Sequence, residues 1–159
     1  NNLIYKNKIL SISLKYITHT SDGKIYLLYA ILIPFILHDV GIDIITYGII
    51  AFSFQVPVYL TLKNTIKRTR PSIDSNIIQI IRPPDKYSFP SGHCASSFLF
   101  TLIINLYAPE LTLYSVIWMC VILLSRVGLG LHYISDVLSG CTLGLLSFLF
   151  AGWVYSIYF

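Results

Sequence analysis

Charge is what this sequence has least of. Asp, Glu, Lys and Arg make up 11% of its 159 residues, against about 25% in a soluble domain. That shortage excludes a water-soluble enzyme, and a hydrophobic content of 55% excludes a disordered chain or a collagenous fibre. Cysteine is scarce as well. Cys94, Cys120 and Cys141 are odd in number, lie within apolar runs, and form no CxxC or Cys/His pair. They read as small buried hydrophobes rather than a disulfide framework or a zinc site. Asn1 to Gly23 is polar and basic and has no apolar h-region, so no cleavable signal peptide is expected. Internal repeats and low-complexity tracts are missing too.

What the chain has instead is apolar length. Mean hydropathy is +0.72, and 12 Tyr with 9 Phe suit a protein with much surface at a bilayer boundary. Crossing a hydrocarbon core takes roughly 20 helical residues. Five runs approach that length: about Ile25–Leu37 with Pro34 inside, Ile44–Leu62 with Gln55 and Pro57, His93–Tyr107, Leu111–Leu129 and His132–Phe159. The expected fold is all-α, a polytopic membrane bundle of five transmembrane helices, or six if a leading span precedes them. Before them, Ile9, Ile12, Leu14, Tyr16 and Ile17 alternate with Lys6, Lys8 and Lys15. That pattern predicts an amphipathic helix in the headgroup layer. Residues 1–24 are thus read as an interfacial segment and 25–159 as the transmembrane domain.

On this topology every one of the eleven Lys and Arg falls on one face, in the N-terminal segment, Lys63–Pro90 and the Arg126–His132 turn. The other face receives Asp39, Asp43 and Glu110. With a net charge of +4, the natural partners are anionic lipid headgroups or phosphate, not nucleic acid. Either the positive-inside rule or a phosphate site would gather cations in this way.

Three stretches on the basic face carry chemistry: Lys63 with Arg70 and Pro71, then Pro90-Ser91-Gly92-His93, then Ser125-Arg126 with His132 and Asp136. His132 and Asp136 lie four apart at the start of the last helix, so both project from one face. A carboxylate bonding the Nδ1–H of an imidazole fixes its tautomer and leaves Nε2 nucleophilic. Ser91 is placed to cap the third helix, presenting backbone N–H groups at the positive end of its dipole. Gly92 would let a phosphate oxygen come close to the backbone. His93, on the first turn, is placed to protonate a leaving alkoxide and then to activate water. Lys63, Arg70 and Arg126 supply positive charge for the equatorial oxygens of a transferring phosphoryl group. No carboxylate cluster accompanies them, so side-chain cations take the place of a metal, and no metal or other cofactor is expected.

These blocks are K-x6-R-P, P-S-G-H and S-R-x5-H-x3-D, and they resemble the three-part signature of the type 2 phosphatidic acid phosphatase (PAP2) superfamily, which includes vanadium haloperoxidases and glucose-6-phosphatase. All eleven fixed positions are present in order, and the resemblance runs from about Ile25 to the C-terminus. It implies a metal-independent phosphatase working through a phosphohistidine on His132. The substrates it suggests are phosphatidic acid, phosphatidylglycerol phosphate, polyprenyl pyrophosphates or lipid A phosphates. A phosphotransferase using the same intermediate and a non-catalytic lipid-phosphate-binding protein are the alternatives. The short Ser72–Phe89 stretch favours a simple lipid monophosphate or pyrophosphate. The composition points to a multi-pass protein of the bacterial cytoplasmic membrane. The charge rule puts the basic face in the cytoplasm, whereas most bacterial members of the family work outside it.

The remaining polar residues read as structural. Lys67, Arg68, Arg82 and Lys86 fit no motif position and are expected to anchor the loop to anionic lipid. His19 and His38 lack a motif partner. Ser97, Thr101 and Asn105 recur every four residues along the third apolar run, as an interhelical hydrogen-bonding stripe would.

Overall fold

The computed structural model describes residues 7–74, 83 and 85–158, apart from the side chains of residues 8, 73 and 74. Six helices longer than one turn make up the described chain, with no strand among the described residues: α1 (Lys8–His19), α2 (Gly23–Ile36), α3 (Gly41–Ile66), α4 (Gly92–Tyr107), α5 (Thr112–Gly128) and α6 (Ile134–Tyr158). A single helical turn, Pro71–Asp74, follows α3, and a 3-10 turn, Pro109–Leu111, leads into α5.

The exterior explains the composition. Leu27, Phe35, Leu124, Leu138 and Trp153 are each more than 60% exposed, which no aqueous surface would sustain on this scale. Three segments are long and apolar enough to cross a bilayer: Gly41–Ile66, Pro109–Gly128 and Ile134–Tyr158. This is an integral membrane protein. The shorter α2 and α4, 14 and 16 residues long, rise only about 21 and 24 Å at 1.5 Å per residue. The five-span expectation is therefore met in full length by three helices. The chain leaves α2 at the His38–Val40 turn, and α4 starts only after Pro90. Cys94 is buried as expected, but Cys120 is exposed on the apolar exterior, because α5 turns that side outward.

Close contact between α4 and α6 sets the geometry of one end of the bundle. A Cβ on Gly144 would stand 2.6 Å from the Ala95 carbonyl oxygen and 3.2 Å from the Leu99 nitrogen, and one on Gly140 would stand 2.5 Å from the Ser91 carbonyl oxygen. The two glycines, one helical turn apart, let the backbones touch where dispersion rather than water exclusion must hold helices together. The Ser91 N–H donates to the Asp136 carbonyl at 3.0 Å, so the same contact joins the starts of α4 and α6. Gly144→Val is expected to destabilise the protein by about 1–3 kcal/mol through overpacking, read as a lowered thermal midpoint in detergent. At the other end Ile44, Tyr47, Ala51, Leu99 and Ile103 form the packed core, and the Tyr155 hydroxyl donates to Asp43 at 2.9 Å.

Of the polar stripe on α4, Thr101 donates to the Ser115 carbonyl at 3.2 Å and Asn105 accepts from Thr112 at 3.1 Å. Ser97 bonds within its own helix, to the Cys94 carbonyl at 3.4 Å. Only part of the stripe therefore reaches a neighbouring segment.

Candidate active site

Lys63 near the end of α3, Arg70 beyond it, Gly92 and His93 on α4, Arg126 on α5 and His132 before α6 line one cavity of about 490 Å³. Residues 69 positions apart along the chain thus come together at one end of the bundle.

Local backbone features bring them there. Lys67 adopts the left-handed conformation (φ 50°), with its N–H on the Lys63 carbonyl at 3.3 Å. That ends α3 and turns the chain back so that Arg70 reaches the bundle. In the third motif, the N–H groups of Leu131 and His132 both donate to the Arg126 carbonyl at 3.1 Å. The five-residue spacing is thus one tight turn, closed by Gly130 at φ 72°, a conformation that costs glycine nothing.

The Nδ1 of His132 donates to the Ser88 carbonyl at 2.7 Å, and the imidazole is buried. A carbonyl can only accept, so the proton sits on Nδ1 and Nε2 carries the lone pair. The expected Asp136 carboxylate is not that acceptor: its nearest oxygen is 3.8 Å from Nδ1. Asp136, wholly buried, instead accepts the Tyr133 N–H at 2.9 Å and pairs with Arg68 Nη1 at 2.8 Å. The helix start and an arginine satisfy the carboxylate, and a main-chain oxygen fixes the tautomer. Burial pushes the His132 imidazole down to about 4, with Asp136 opposing, so the ring is neutral at physiological pH.

Arg68, whose sequence position suggests a lipid anchor, is half-buried and turned inward onto Asp136. It also bonds Ser135 Oγ at 2.6 Å and stacks over the Tyr133 ring at 4.0 Å. Lys67 and Lys86 are exposed, and Arg82 lies outside the described residues.

Lys63 and Arg70 meet on a residue that sequence reasoning missed. Lys63 Nζ donates to Asp85 Oδ2 at 2.7 Å and to the Tyr59 hydroxyl at 2.6 Å. Arg70 Nη2 donates to Asp85 Oδ1 at 2.6 Å, and Nη1 to the Leu131 carbonyl at 2.7 Å. Burial opposes ionisation of Asp85, yet the two cations hold its carboxyl below the usual range. Arg126 is buried; its Nη1 donates to Thr18 Oγ1 at 2.9 Å, while its Nε has no partner among the described residues.

Ser91 occupies the N-cap position of α4, but its side chain makes no capping bond and goes to Cys94 Sγ at 3.1 Å. The space beside Gly92 belongs to the Tyr59 ring, 3.1 Å from where a Cβ would be. His93 Nε2 is 2.7 Å from Asp22 Oδ1, and Asp22 Oδ2 is 2.8 Å from His19 Nδ1. His19 therefore has a partner after all, three residues on; His38 is exposed at the other end.

Comparison with solved structures finds the same fold twice. The crystal structure of the first transmembrane PAP2 type phosphatidylglycerolphosphate phosphatase from Bacillus subtilis matches with a TM-score of 0.75 at 22% identity, over 96% of this chain and 80% of that one. The crystal structure of Aquifex aeolicus LpxE matches with a TM-score of 0.80 at 19% identity, over 91% and 86%. The family model for the PAP2 superfamily covers residues 24–159, a span that takes in all three motif blocks, and the chain is a member of that superfamily.

Proposed function

We propose that this protein is a metal-independent lipid phosphate phosphatase acting through a phosphohistidine on His132. The observation that carries the reading is the His132 ring itself. Its Nδ1 proton is committed to the Ser88 carbonyl, which leaves a neutral imidazole with a free Nε2 in a cavity shared with Lys63, Arg70 and Arg126.

In this reading Nε2 attacks phosphorus as the bond to the alkoxide breaks, and His93 gives the departing oxygen its proton. Water activated by His93 then attacks the phosphohistidine, releasing inorganic phosphate and restoring Nε2. Lys63, Arg70 and Arg126 stabilise the equatorial oxygens, with the Gly92 N–H at the start of α4 as a further donor. Asp136, 3.8 Å from Nδ1, offsets the positive charge that the ring acquires on phosphorylation.

The lipid part of the substrate is supported by the other half of the cavity. It continues between α2 and α3 past Tyr26, Ala30, Ile33, Ile49 and Phe52. Ile49 there is 65% exposed, so the groove opens sideways toward lipid. An acyl or prenyl chain would lie in it while the phosphate reaches the cations. All five helices from α2 to α6 would then cross or enter the bilayer, with α1 along its surface. One of the two structural relatives is described as a transmembrane PAP2 type phosphatidylglycerolphosphate phosphatase. Phosphatidylglycerol phosphate, phosphatidic acid and a polyprenyl pyrophosphate are accordingly the substrates to test first.

Phosphate release from those three lipids in detergent, with EDTA throughout, decides the reading. Turnover of at least one at an undiminished rate in EDTA is expected. Turnover that EDTA abolishes would contradict the metal-independent route.

A further inference from the structure

The α1–α2 corner contributes more to the site than its sequence suggests. Asp22 holds the N-cap position of α2 but makes no side-chain cap. An aspartate there ordinarily accepts from the helix N–H groups. Its carboxylate is turned instead to His93 Nε2 at 2.7 Å and His19 Nδ1 at 2.8 Å. The direct carboxylate–imidazole pair that the third motif leads one to expect at His132 is thus found at His93, supplied from 71 residues away.

We propose that Asp22 is a positioning residue for His93: it holds the imidazole by Nε2 and favours the imidazolium, leaving Nδ1–H as the proton donated to the departing alkoxide. The inference rests on the phosphatase reading for what the proton is used for, but not for the pairing itself. In the first step the N–P bond forms at His132, the P–O bond to the lipid breaks, and the Nδ1 proton of His93 passes to the lipid oxygen. In the second, the neutral His93 takes a proton from water, so the imidazolium is regenerated each cycle without any further reactant.

The Asp22–His93 contact acts on the charge of both partners. The His93 hydrogen bond, aided by His19 and opposed by burial, holds Asp22 down at about 2, so it stays ionised throughout the working range. The other titratable groups that line the cavity with His93 are Tyr26 and Tyr29 on α2, Tyr59 and Lys63 on α3, the Arg70–Asp85 pair, Arg126 on α5 and His132, with His19 of α1 behind Asp22. Burial, with Arg126 and His19, holds the His93 imidazole below its usual value, and Asp22 is the anion in contact that opposes them. The corner does not depend on Asp22 for its shape. Thr18 accepts from Arg126 at 2.9 Å, Thr20 accepts from Trp118 at 2.8 Å and from Tyr29 at 2.9 Å, and Ser21 Oγ donates to the His93 carbonyl at 3.2 Å. Removing the charge of Asp22 should therefore leave the backbone in place.

The test is Asp22→Asn in the full-length chain in detergent, with Asp22→Glu beside it. Removing an opposite charge in contact is expected to lower the His93 titration by about one pH unit. The basic limb of the pH–kcat profile on an alkyl lipid phosphate should move down with it, giving about a tenfold loss above that limb and a KM within about twofold. Asp22→Glu should recover most of the rate. The His93 titration is followed independently by NMR of ring-labelled histidine, assigned with His93→Gln. A His93 titration that does not move, or a loss equal at every pH, would overturn the proposal and leave Asp22 a simple tether. If the wild-type protein hydrolyses no lipid phosphate, the phosphatase reading fails on its own, and the NMR titration still decides the role of Asp22.

Discussion

His132→Ala should lower kcat on any lipid phosphate substrate by at least about a thousandfold, since loss of a covalent nucleophile leaves only binding and electrostatic catalysis. The alanine variant carries a second effect that must be separated from the first. Ser88 is fully buried, and without the imidazole its carbonyl loses the donor that His132 Nδ1 supplies, a cost of about 1–3 kcal/mol. His132→Asn removes that ambiguity. Its amide nitrogen stands close to the place of Nδ1 and keeps a donor for Ser88, while nothing replaces Nε2. Both variants are expected to be equally inactive in phosphate release, with the asparagine protein retaining more of the wild-type thermal midpoint. An asparagine variant with substantial turnover would show that Nε2 is not the attacking atom.

Arg126→Lys comes next in expected size, at about a hundredfold to a thousandfold in kcat, the usual loss when a buried transition-state donor is removed. The substitution keeps the charge, so the size of the effect rests on geometry. One arm of the guanidinium is spent on Thr18, and the buried Nε has no partner among the described residues. A buried donor without an acceptor is costly, and it is suited to an oxygen that arrives with the substrate. Lysine offers a point charge that cannot hold Thr18 and a phosphoryl oxygen at fixed angles together. The loss should fall mainly on kcat, as for an interaction strengthened in the transition state. A loss confined to KM would assign Arg126 to ground-state headgroup binding instead.

The legible and the hidden parts of this molecule divide along a physical line. Apolar runs were readable because lipid-facing and protein-facing sides of these helices are both hydrophobic, so their positions stand out without any periodicity. Their usable lengths did not: α2 and α4 come out shorter than a bilayer needs, because turns at His38–Val40 and Pro90 decide where helix stops. The motif residues Lys63, Arg70, Gly92, His93, Arg126 and His132 were readable through side-chain type and fixed spacing. What escaped were their partners. Asp22, Asp85 and Arg68 reach groups 71, 22 and 68 residues distant, and no local pattern encodes such a pairing. Ser88 acts through its main-chain oxygen, which side-chain identity cannot reveal. The motif leads one to expect a carboxylate bonded to His132 Nδ1 and none on His93; the Ser88 carbonyl bonds His132 at 2.7 Å with Asp136 at 3.8 Å, and the carboxylate in direct contact is that of Asp22 on His93.

The central claim, attack on phosphorus by His132, is tested most directly by trapping the intermediate. Protein in detergent with EDTA is mixed with a lipid phosphate carrying labelled phosphorus, quenched in alkali within the first turnover, and digested. The expected result is a base-stable, acid-labile label on the peptide containing His132, absent from His132→Asn. Label on another residue, or turnover by the wild-type protein that persists in His132→Asn with no labelled peptide, would contradict it.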